Sequence, residues 1–115
     1  MGKTVTIDYK GKGYKLVFNL NVMQAIQEEY GTFEKWSNLA SGEDGEINIK
    51  ALVYGLTQMI NEAIDIDNDD NGTNEPFLLE KKVSRIVSEY GLEKTTQAMS
   101  DVVTDATKDD SEKNA

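Results

Sequence analysis

The chain is 115 residues long, carries a formal net charge of -9, and contains neither cysteine nor histidine. Such a length supports one domain that buries roughly two-thirds of its unfolded surface, and the missing residue types exclude disulfides, thiolate metal sites, cysteine nucleophiles and the usual general base or pH switch. The chain therefore reads as non-catalytic, without metal or cofactor, and its acidity argues against binding nucleic acid or anionic membranes, both of which depend on cationic contacts to phosphate.

The first segment has a period of two. Val5, Ile7 and Tyr9, then Tyr14, Leu16 and Phe18, alternate with polar residues on either side of Lys10-Gly11-Lys12-Gly13. Glycine accepts the positive φ of a tight turn, so a β-hairpin is predicted over 4–18. Lys3, Lys10, Lys12 and Lys15 read as solvated edge charges that discourage strand addition. The apolar face of the hairpin must lie on helices, because a lone hairpin is marginal in water.

Helical spacing follows. Val22, Met23, Ile26 and Tyr30 predict a helix over about 21–30, capped by Asn19 or Asn21, with Gln24 placed for a capping box and Gly31 as its stop. Thr32 then opens a helix over 33–40 whose Phe33, Trp36, Leu39 and Ala40 read as core. Ser41 to Glu46 is a glycine-containing loop.

The longest apolar stripe belongs to residues 49–66. Ile49, Leu52, Val53, Leu56, Met59, Ile60, Ala63 and Ile64 share one face of a helix, with Lys50, Thr57, Gln58, Asn61 and Glu62 turned toward solvent and Asn48 as N-cap. Gly55 inside this helix weakens it by about 1 kcal/mol relative to alanine, which implies close approach there, by a neighbouring helix in preference to a ligand.

Residues 65–75 are expected to form a loop, in a stretch that has no Lys or Arg between Lys50 and Lys81. Asp67, Asp69 and Asn71, followed by Gly72, match the first half of a calcium loop. Asn74 and Leu78 depart from its second half, where an aliphatic residue and a bidentate glutamate belong. An Asx-rich turn is the preferred reading and a calcium-binding helix-loop-helix module the alternative. Pro76 is placed at the start of a helix over 76–90, which presents Phe77, Leu79, Val83, Ile86, Val87 and Tyr90 and stops at Gly91.

A last helix is predicted over 92–107, and residues 108–115 as a flexible charged tail. The stripe of that helix is thin, and Met99, Val102, Val103 and Ala106 are the candidate partner-binding residues, as apolar surface on a loosely docked element. The expected fold is thus α+β, mainly α, with one globular domain over 1–107. An N-terminal β-hairpin packs on a bundle of about five helices around the central helix at 49–66. The N-terminus is polar and the apolar stretches are interrupted, so neither a signal peptide nor a membrane span is expected.

The order of these elements is similar to that of a known family. A lysine-bearing hairpin, Phe18-Asn19-Leu20-Asn21-Val22-Met23 leading into a helix that ends Glu28-Glu29-Tyr30-Gly31, the aromatic segment at Phe33 and Trp36, and then Ile49 to Leu56 resemble the tail assembly chaperones of long-tailed bacteriophages and prophages of Gram-positive bacteria. The likeness is one of apolar positions and element order over nearly the whole chain. It implies a non-catalytic protein of the bacterial host cytoplasm that binds the tape measure protein, shields its apolar helices and assists assembly of tail tube subunits, with homo-oligomer formation left open. Many members are made in two lengths through a ribosomal frameshift, and Glu112-Lys113-Asn114 can be encoded by a slippery run of adenines ending in cytosine. An acidic inhibitor that occupies a basic cleft of a host protein is a further alternative.

Overall fold

Alternation at the N-terminus produces two antiparallel strands, β1 (Val5–Tyr9) and β2 (Lys12–Leu16), in a computed structural model that describes residues 4–43 and 45–114, with side chains to residue 107. Tyr9 pairs with Lys12, so the connection is a two-residue turn in which Lys10 and Gly11 both have positive φ, at 51° and 80°. That is the turn whose twist matches paired strands. Ile7, Tyr14 and Leu16 point into the core.

Five helices follow: α1 (Leu20–Tyr30), α2 (Phe33–Ser41), α3 (Ile49–Asn71), α4 (Glu80–Tyr90) and α5 (Leu92–Asn114). The expectation of a mainly helical α+β fold with an N-terminal hairpin holds. Local chemistry sets several boundaries: Asn19, Thr32 and Asn48 each accept a bond from a first-turn amide, and Gly31 and Gly42 follow the last turns of α1 and α2. Asn19 is the cap of α1; the capping box from Asn21 does not form, and Gln24 bonds Glu28 instead.

The centre of the molecule is α3, with β2, α1, α2 and α4 against it. Leu52, Leu56, Met59 and Ile60 are fully buried. Thr57 is buried as well, against the expectation that it faces solvent, and its hydroxyl donates to the Val53 carbonyl at 2.7 Å. That backward bond within the helix is what lets a hydroxyl sit in an apolar core. Ile49, expected in the stripe, is 49% exposed because it occupies the first turn.

Trp36 of α2 lies against Gly55, and its indole Nε1 donates to the Ala51 carbonyl at 2.8 Å. A methyl group on Gly55 would come within 2.8 Å of Cε2 and 2.9 Å of Nε1 of that ring, and closer still to Cζ2. The neighbouring helix inferred from the sequence is therefore α2. Gly55→Ala should lower stability by about 1 to 3 kcal/mol through overpacking, although alanine is the better helix former. Urea denaturation checks it, and an unchanged or raised midpoint would show that the ring yields.

Two boundaries differ from those predicted. Residues 65–71 continue α3 through the expected loop, because aspartate and asparagine disfavour a helix only mildly and the chain has a better stop at Gly72, in the left-handed region. Asn68 then organises the exit, accepting from the Glu75 amide at 2.9 Å and donating to its carbonyl at 3.0 Å. The second difference is at α4, which begins at Glu80 rather than near Pro76. Asn61 bonds both main-chain groups of Leu78, at 2.8 and 3.0 Å, and so fixes the non-helical segment 73–79 against α3. Phe77 and Leu79, expected to pack, are exposed as a result.

The last helix continues to Asn114, past the predicted end at 107, and the side chains of the expected charged tail, 108–115, lie outside those described. It rests chiefly on β1 and α4.

Candidate functional site

The acidic stretch is the first place to look for chemistry. On a helical backbone, successive residues turn by about 100°, so Asp67 and Asp69 point in divergent directions and do not form the first half of a calcium loop. Lys15 bonds Asp67 at 2.9 Å, and Lys12 lies 4.0 Å from Glu75. These hairpin lysines, edge charges by sequence, thus meet Asp67 in the last turns of α3, where negative charge opposes the helix dipole, and Glu75 in the segment after it. Among the described residues, no group of three or more carboxylates converges as a metal site would require.

Tyr30 and Tyr54 form an edge-to-face pair with centroids 5.7 Å apart, and the Tyr54 hydroxyl donates to the Ala25 carbonyl at 3.0 Å. The Tyr30 hydroxyl is buried without a hydrogen-bond partner. Burial first, and then the charge of Glu29, hold both phenols above the ordinary tyrosine value of 10.0. A folded state that keeps these protons while the unfolded chain releases them loses stability as pH rises beyond about 10. Denaturation midpoints should therefore fall as pH rises past about 10. A flat profile into the alkaline range would contradict the burial of these rings.

An apolar groove lies between α2 and α5. Phe33, Trp36 and Ala40 from α2, Leu52 from α3, and Met99 and Val103 from α5 supply its apolar surface. Hydroxyls border it: Ser37 and Ser41 on α2, and Thr96, Ser100 and Thr104 on α5, spaced by one helical turn each. Its volume is about 210 Å³, below the range that encloses a drug-sized ligand. No protein-family model, curated protein or solved structure matches the chain. The groove is therefore read on its own chemistry.

The structure divides the candidate residues read from sequence. Met99 and Val103 line the groove, Met99 almost wholly buried and Val103 half-buried. Val102 faces the core instead, and half-buried Ala106 lies beyond the groove. The cause is helical phase, since Val102 is about 100° around the axis from Val103. Phe33 and Trp36 were read from sequence only as core. The sequence signal for the hydroxyl borders is the spacing of four residues between Thr96, Ser100 and Thr104 on α5.

Proposed function

We propose that this chain is a tail assembly chaperone of a long-tailed bacteriophage or prophage. In this reading it acts in the cytoplasm of the bacterial host, holds an amphipathic helix of the tape measure protein in the α2/α5 groove, and assists tail tube assembly without catalysis. The groove is the observation that carries the reading. An apolar floor between hydroxyl borders, too small for a large ligand, suits side chains inserted one or two at a time from a helix. The order of elements supports the family assignment. No helix among the described residues is long and apolar enough to cross a membrane.

The test is to sequence the neighbouring DNA for a very long, helix-rich reading frame and to co-express its product, the expected tape measure protein, with this chain. Wild-type chain should co-purify with it and keep it soluble. Ser100, exposed at the border of the groove, is the site to disturb: Ser100→Glu should weaken binding by about ten-fold or more without altering thermal stability. Absence of co-purification would refute the assignment, and binding indifferent to Ser100→Glu would refute the groove. A slippery heptamer over the codons for Glu112 to Asn114, followed by an overlapping frame, would add independent support.

A further inference from the structure

The two edges of the hairpin are treated differently. Along β2, Lys12 and Lys15 reach the acids of α3 and the segment after it, and the Val17 amide donates to the Met59 carbonyl, so that edge is covered. Along β1, against which α4 and α5 pack, no described residue makes such a main-chain bond or ion pair on the outer side. Tyr9, Ile7 and Val5 are the residues that exchange bonds with β2, since the pair flanking a two-residue turn is a bonded one. The amides and carbonyls of Thr6 and Asp8 therefore point outward, and no described residue bonds them. From Thr4 to Tyr9 the strand has no lysine, proline or bulge, and Asp8 is its single charged residue.

A stripe of α5 flanks this edge, forming a shallow groove with it. Lys94, Gln97 and Asp101 are exposed on the stripe, with Ala98 buried between them. Lys94 sits over the Tyr90 ring at 4.3 Å, and Asp101 accepts from Gln97 at 2.8 Å, so both charges are held in place. They are two turns apart, about 10.5 Å. A stripe with one positive and one negative end is complementary to itself when a second copy runs antiparallel.

We propose that the free edge of β1 and this stripe of α5 form a two-fold interface with a second copy of the chain. Pairing centred on Thr6 sets Thr6 against its own copy and Thr4 against Asp8, with each pair exchanging both main-chain bonds and no like charges opposed. The same axis, passing between Gln97 and Ala98, sets each Lys94 against the Asp101 of the other copy. The hairpins of the two copies then make one continuous sheet, and the α2/α5 groove, on another side of α5, stays open.

Sedimentation velocity over a concentration series tests the interface. Wild-type chain should be a dimer that dissociates on dilution. Thr6→Pro removes an outward amide and leaves the β1–β2 bonds intact, and it should give monomer. Lys94→Glu should weaken the dimer at least ten-fold by placing carboxylates opposite one another, and adding Asp101→Lys should restore it by exchanging the two ends. If Thr6→Pro fails to fold by circular dichroism, the charge exchange decides. A monomer at every concentration, a dimer indifferent to Lys94→Glu, or a double variant as weak as the single one would overturn the proposal.

Discussion

Replacing Trp36 by alanine is expected to destabilise the domain by about 3 to 5 kcal/mol, a large part of the 5 to 15 kcal/mol that holds a typical domain. The indole is 3% exposed and packs on Phe33, with centroids 5.5 Å apart. It also covers Gly55, which has no side chain to move into the vacated space, so the cavity cannot collapse from that side. Urea denaturation followed by circular dichroism measures the loss. The partnership gives a sharper test through coupling. Gly55→Ala is destabilising while the ring is present, but in the Trp36→Ala background it should add up to about 1 kcal/mol of stability, as helix propensity alone dictates. If Gly55→Ala has the same sign in both backgrounds, the contact does not explain the glycine.

Leu56→Ala is expected to cost about 2 to 5 kcal/mol, and Ile60→Ala a similar amount, for a different reason. Both side chains are fully buried on α3, which meets the hairpin and three other helices, so neighbours on several sides lose contacts at once. The contrast with the helix end is part of the test. Ile66 is 36% exposed, and its truncation should cost far less than either. Near-wild-type midpoints for Leu56→Ala and Ile60→Ala would mean that α3 is not the core element.

Much of this architecture was legible because its causes are local. The period of two in Val5, Ile7 and Tyr9, the asparagine and threonine caps, and the apolar stripe from Leu52 to Ala63 all act between residues close in sequence. What misled was local chemistry overruled from a distance. Pro76 suits a helix start, yet Asn61 captures Leu78, 17 residues further along the chain, and delays α4 to Glu80. The Asx-rich run at 67–71 suits a turn, yet it continues a helix already nucleated and packed, with its stop at Gly72.

The candidate groove shows the same division. A thin apolar stripe marks α5 as unusual, but that Met99 and Val103 line the groove while Val102 faces the core depends on where β1, α2 and α4 lie. By itself the sequence determined the elements, their caps, the need for close approach at Gly55 and the absence of cysteine and histidine chemistry, since each follows from composition or from spacing along one helix or strand. Only the tertiary structure decided that Trp36 makes that approach, that the hairpin lysines meet the acids of α3, and that β1 keeps a bare edge, because each depends on residues brought together across long stretches of chain.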